Sequence, residues 1–208
     1  MKKNRKEPEW SPFTCDFGKN WINKEGKLLS TIWFKNTGRL YDDEWTCVQK
    51  TDDEWNYINV KGEFLLAEWY RLAFHFTKDN YAVVQLPNGD VNYIDRKGNI
   101  RFPHLKKLTY CSEFKNGFAL VYDENRLANL INEKGEYISD TWYLDINRLA
   151  DKKTFIVYKG DRNHANIMDE HGNLILERWY YGIVTTDYSS DGEPFVYNSE
   201  KNELIIRL

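Results

Sequence analysis

Apolar residues come along this chain in short bursts separated by polar turns, and the bursts recur in register. Five segments share one pattern: Asn20-Trp21-Ile22-Asn23-Lys24-Glu25-Gly26, Asn56-Tyr57-Ile58-Asn59-Val60-Lys61-Gly62, Asn92-Tyr93-Ile94-Asp95-Arg96-Lys97-Gly98, Asn129-Leu130-Ile131-Asn132-Glu133-Lys134-Gly135 and Asn166-Ile167-Met168-Asp169-Glu170-His171-Gly172. Their glycines lie 36, 36, 37 and 37 residues apart. A fixed period of that length is the signature of a repeat protein.

In every copy an Asn or Asp stands three residues before the glycine, at Asn23, Asn59, Asp95, Asn132 and Asp169. A type I turn selects this pair, because the Asx side chain accepts backbone N–H bonds and the glycine adopts positive φ. The turn is predicted to join the apolar strand before it to a second one, such as Glu63-Phe64-Leu65-Leu66 or Asn173-Leu174-Ile175-Leu176. Seven residues after the glycine comes a Trp in four copies, at Trp33, Trp69, Trp142 and Trp179, followed by Phe34, Tyr70, Tyr143 and Tyr180. The third copy has Leu105 and Lys106 there instead. A further strand led by an aromatic follows, at Trp45-Thr46-Cys47-Val48, Tyr81-Ala82-Val83-Val84, Phe118-Ala119-Leu120-Val121 and Phe155-Ile156-Val157-Tyr158, with Phe195-Val196-Tyr197 set more loosely in the fifth copy.

The fold this predicts is all-β, a tandem array of antiparallel β-meander repeats. Isolated hairpins are marginal in water, so the units must stack or close on one another in a propeller-like ring or a solenoid. Phe13-Thr14-Cys15 and Leu204-Ile205-Ile206 carry fragments of the pattern beyond the five copies. The expected organisation is therefore an N-terminal arm over residues 1–12 and a single array over 13–208.

Composition adds limits. A chain of 208 residues is long enough to build a core without staples. With 29 basic and 32 acidic residues, no global field draws it to nucleic acid or an anionic membrane. Cys15, Cys47 and Cys111 form no CxxC pair; their odd number fits a reduced compartment. The charged N-terminus is not followed by a signal-like apolar run, and nowhere do the roughly 18 apolar residues of a membrane span line up. These features predict a cytoplasmic protein with no membrane contact.

The Asn-Tyr-Ile-Asn/Asp-x-Lys-Gly segments, the Trp-Tyr/Phe pair and the aromatic-led strand together resemble the WG-repeat family of bacterial proteins, also called KWG repeats, over roughly residues 13–208. The Trp-Gly pair that names the family is Trp55-Asn56 here, and the other copies mostly lack the Trp. The resemblance implies a β-rich repeat array that mediates contacts.

Common catalytic and nucleotide-binding motifs are absent from the sequence, so no enzyme, catalytic residue, cofactor or metal is predicted. His75, His104, His164 and His171 fall at different repeat positions, where turn and surface roles suffice. Asp42-Asp43-Glu44 and Asp52-Asp53-Glu54 read as solvated turn residues in preference to a Ca²⁺ site. The recurring Trp33, Trp69, Trp142 and Trp179 read first as shared core and second as an aromatic platform for a small ligand or glycan. The third copy departs from its siblings, with Arg96, Lys97, Arg101, His104, Lys106 and Lys107 inside twelve residues. A solvated charged face explains such a strip first, and contact with an acidic protein or with phosphate groups second. The predicted function is a non-enzymatic protein that binds another protein through an extended repeat surface, as scaffold, effector or inhibitor. The alternative is a ligand module using the Trp-Tyr pairs.

Overall fold

The computed structural model of the protein describes residues 9–40, 45–149, 153–181, 183–184, 195–198 and 203–207. The first eight residues of the expected arm and the acidic run Asp42-Asp43-Glu44 lie outside them.

The glycine turns form as their composition predicts. In the second copy the Asn59 carboxamide oxygen accepts the backbone N–H of Lys61 (2.9 Å) and of Glu63 (3.1 Å), while the Asn59 carbonyl accepts that of Gly62 (3.0 Å). The glycines at the five turns have φ of 81°, 80°, 83°, 81° and 87°, a region open to Gly at little steric cost. Where the turn residue is Asp, its carboxyl pKa is lowered. At Asp95, burial pulls upward, but the Asn99 side chain, the N–H groups of Asn99 and Lys97, and the Lys97 charge outweigh it. Asp169 is lowered likewise: burial again raises, and bonds from Asn173 and His171 prevail. A depressed folded pKa contributes stability above the unfolded value, lost as pH falls through the folded one. Replacing both by Asn, the residue of the other three copies, is therefore expected to leave stability at pH 7 within about 0.5 kcal/mol of the parent. The acid limb of a stability profile below about pH 4 should become shallower, and an unaltered limb would count against this assignment.

A second device repeats beside the turns. The Asn that opens each segment, Asn20, Asn56, Asn92, Asn129 or Asn166, is buried, with 0–2% of its surface exposed. A buried amide must find partners, and these find the same ones. Asn129 Nδ2 donates to the carbonyls of Ser139 (2.8 Å) and Thr141 (3.3 Å), and its Oδ1 accepts the N–H of Leu130 (2.7 Å). Asn56 Nδ2 holds the carbonyls of Leu66 (2.9 Å) and Glu68 (3.4 Å); Asn20 and Asn166 do the same ten and twelve residues on. Each Asn thus clamps the loop that follows the glycine turn.

This clamp changes one expectation. The segments Glu63–Leu66 and Asn173–Leu176 were to be strands paired across the turn, yet each is reduced to a single bridge, Ile58 to Phe64 and Met168 to Leu174. The loop carbonyls are bound to an Asn side chain, so no ladder propagates. The third strand of each meander instead comes after the Trp-aromatic pair.

In the unit Met1–Lys106, β1 (Ser11–Cys15) pairs with β2 (Gly18–Ile22). β3 (Asn36–Thr37), β4 (Thr46–Thr51) and β5 (Glu54–Ile58) form a meander, as do β6 (Leu72–Ala73), β7 (Tyr81–Gln85) and β8 (Val91–Asp95). In the unit Lys107–Leu208, β9 (Leu108–Cys111), β10 (Phe118–Asp123) and β11 (Ala128–Asn132) form one sheet. β12 (Asp145–Arg148), β13 (Phe155–Tyr158), β14 (His164–Met168) and β15 (Tyr180–Tyr181) form the next, and β16 (Ile183–Val184), β17 (Phe195–Asn198) and β18 (Glu203–Arg207) a third. All pairings are antiparallel. The protein is all-β, built of tandem antiparallel meanders.

A three-stranded sheet cannot bury its own face, and the cores lie between consecutive sheets. In the first unit Cys47 and Tyr57 of one sheet pack with Ala73, Ala82, Val84 and Ile94 of the next. In the second, Leu130 packs with Ile146, Phe155 and Val157. Phe155 does not match Tyr81 and Phe118 in register. It lies opposite Met168, the place that Ala82 and Ala119 hold opposite Ile94 and Ile131, so its ring points into the seam and is 1% exposed.

Candidate functional site

The third copy keeps the Asn clamp but rebuilds the loop it holds. Asn92 Nδ2 donates to the carbonyls of Phe102 (2.8 Å) and Leu105 (3.3 Å), so the clamped carbonyls stand one residue further apart than in the other copies. Phe102 and Leu105 turn inward, at 4% and 1% exposure. Arg101, Pro103, His104 and Lys106 are left on the surface.

The basic residues of this copy have distinct settings. Arg96 lies 5.2 Å from the Phe76 ring, and its Nε donates to Asn80 Oδ1 at 2.8 Å. The Arg101 guanidinium sits 5.1 Å from both the Tyr81 and Phe102 rings, and the His104 ring meets Phe102 edge-on at 6.2 Å. Lys97 and Lys106 are exposed. Lys107 begins the second unit, where it pairs with Glu124 at 2.9 Å.

At three of the four Trp-aromatic pairs the second residue enters the core, with Phe34 at 1%, Tyr70 at 5% and Tyr143 at 2% exposure, whereas Tyr180 stays half-buried. The Trp stays half-buried at the rim. Trp33 packs against Phe13 and Phe17, at 6.0 and 6.1 Å, and Trp142 against Tyr137 at 5.3 Å. Lysines cover the other two rings, Lys50 over Trp69 at 5.4 Å and Lys159 over Trp179 at 5.9 Å. A platform for a cation or sugar would have to displace them.

Titratable side chains elsewhere are engaged locally. Glu54 pairs with Lys50 at 2.9 Å and Asp52 with Lys35. His164 Nδ1 lies 3.0 Å from Asp161 on an exposed turn, and His171 shares the Asp169 turn through its backbone. The Cys47 thiol is pushed up to about 12 by burial, which makes it inert at neutral pH. Among the described residues no group of three His, Cys, Asp or Glu is placed to hold a metal, and no helix is long and apolar enough to cross a membrane.

Sequence reasoning missed the Asn clamp. Its signal was a polar residue recurring at one place in an otherwise apolar strand, which demands a buried partner.

Comparison with known proteins gives a family match over residues 93–126, to the WG containing repeat. No curated protein matches in sequence. Among solved structures, the WD40 β-propeller domain of Doa1 is similar at 14% identity and TM-score 0.36, over 96% of this chain and 74% of that one. BamB from Moraxella catarrhalis is similar at 11% identity and TM-score 0.43, over 96% and 70%. KlHsv2 with loop 6CD replaced by a Gly-Ser linker is similar at 12% and 0.41, over 91% and 70%. The matched stretch contains the Asp95–Gly98 turn and the strand that begins at Phe118, and the same unit recurs in register before and after it, so the unit this chain repeats is similar to the WG containing repeat.

Proposed function

We propose that this chain is a non-catalytic repeat protein that binds an acidic protein partner through the loop of its third copy. The observation that carries this reading is the rebuilt loop. It preserves the buried Asn92 clamp and adds internal anchors at Phe102 and Leu105, while its exposed positions carry Arg101, His104 and Lys106, and the turn before it carries the exposed Lys97. A loop fixed from inside pays little ordering entropy on binding, and clustered cations steer an acidic partner and set its register. The similarity to a WG containing repeat, a unit of repeat arrays, supports a role in contacts. The free cysteines, with Cys47 and Cys111 buried, support a reducing compartment such as the cytoplasm.

Lys97→Glu/Lys106→Glu tests this. Both side chains are exposed, so the melting temperature is expected to stay within about 2 °C of the parent. Proteins retained from native extract by the tagged wild type and lost by the variant would carry the reading. Identical retention by both would overturn it.

A further inference from the structure

Two pockets occupy the same place in the repeat, one in each unit. In the first, about 330 Å³ lies between the sheets β3–β5 and β6–β8, over Cys47 and Ala73. In the second, about 400 Å³ lies between β9–β11 and the sheet begun by β12, over Leu120 and Ile146. The ladders make these positions equivalent. Cys47 faces Tyr57 as Leu120 faces Leu130, and Ala73 faces Val84 as Ile146 faces Val157. Each of these two seams between consecutive meanders leaves a cleft at the same place, and the side chains of each copy decide what it holds.

Two residues beyond Ala73 and Ile146 stand His75 and Arg148, each lining its cleft. His75 sits against Gly38, its Cε1 2.9 Å from where a Cβ would be. Arg148 instead lies over two rings, 5.7 Å from Phe118 and 5.2 Å from Phe155, which meet each other edge-on at 5.5 Å. The one-residue shift that turns Phe155 into the seam creates this arrangement. The floor is apolar, with Leu130, Ile146 and Phe155 at 3%, 4% and 1% exposure. Lys115 and Glu113 line the cleft as well, so with Arg148 the charges sum to one positive.

We propose that the second pocket binds a small organic carboxylate with a flat apolar body. The volume lies within the roughly 300–1,000 Å³ of small-molecule sites. Arg148 lines the cleft, and a guanidinium, with five N–H donors, is the side chain that engages a carboxylate with two parallel bonds. The apolar floor receives the ligand body. The site shares no residue with the third-copy loop and stands or falls apart from the protein-contact reading.

The probes are 2-naphthoate and its neutral analogue 2-naphthamide, titrated into the full chain by saturation-transfer NMR. The acid is expected to bind at least about tenfold more tightly than the amide. Arg148→Gln should remove that difference, Ile146→Trp should fill the floor and abolish binding of both, and His75→Gln should change neither. Equal affinity for acid and amide, no binding of the acid at millimolar concentration, or acid binding unchanged in Ile146→Trp would each overturn the proposal. Arg148 also braces two rings, so each variant is checked by thermal melting. If Arg148→Gln does not fold, the acid-to-amide ratio on wild type together with Ile146→Trp decides.

Discussion

Replacing Gly62 by alanine is expected to destabilise the protein by about 3 kcal/mol or more, whereas the same change at Gly26 should cost about 1–2 kcal/mol. The two glycines occupy the same turn in consecutive copies, with φ of 80° and 81°, so the left-handed backbone penalises a side chain equally at both. They differ in their surroundings. A Cβ on Gly26 meets nothing within 4 Å, while one on Gly62 would lie 2.5 Å from the Leu29 carbonyl oxygen of the preceding copy. Backbone cannot swing aside as a flexible side chain can, so the sheets themselves must separate. Gly172 is more crowded still, because its Cβ would collide with the Ile138 carbonyl, and Gly172→Ala should match or exceed Gly62→Ala. Thermal melts of the three variants measure this, at roughly 2–4 °C per kcal/mol for a chain of this size. Equal losses at Gly26 and Gly62 would show that turn strain alone matters and that the turns do not serve as contacts between copies.

Asn129→Asp is the second large effect, expected at about 3–5 kcal/mol at pH 7. The substitution keeps shape and keeps an acceptor for the Leu130 N–H. It removes both N–H donors, so the second carboxylate oxygen faces the carbonyls of Ser139 and Thr141 at a site with 0% exposure. Burial and these carbonyls raise the folded pKa of the new Asp above its unfolded value of about 3.9. A raised folded pKa means that stability is present below the unfolded pKa and is lost as pH rises through the folded one. The variant should therefore recover part of its deficit between pH 7 and pH 4, when a protonated carboxyl donates once to the loop. Asn129→Leu has no proton to gain and should show no such recovery. Denaturant titrations at both pH values distinguish the two. A deficit below about 1 kcal/mol for Asn129→Asp would mean that the clamp is dispensable.

These two devices separate what was readable from what was not. The glycine turn was legible because every group it uses lies within four residues, so Asn59, Lys61, Gly62 and Glu63 declare their roles by type and spacing alone. The clamp uses the same residue type, but its partners lie ten and twelve residues away across a loop. Its trace in the sequence was a repeated polar residue with no stated duty. The basic third copy stood out by composition, yet only the coordinates show that Phe102 and Leu105 turn inward and that Lys107 belongs to the other unit.

Period, strand polarity and turn chemistry are local properties, and the sequence by itself determined them: an all-β array with five turns in register. Which residues complete each sheet was decided only by tertiary structure. Asn36–Thr37 and Leu72–Ala73 are too short to carry an alternating pattern, and they become strands because β4 and β7 offer an open edge beside them. Tertiary packing likewise chose Phe34, Tyr70 and Tyr143 for the interior and left each neighbouring Trp at the rim. It set Phe155 one register step inward, into the seam that Arg148 lines. Such choices depend on what the preceding sheet leaves unfilled, and a chain read one residue after another does not contain that sheet.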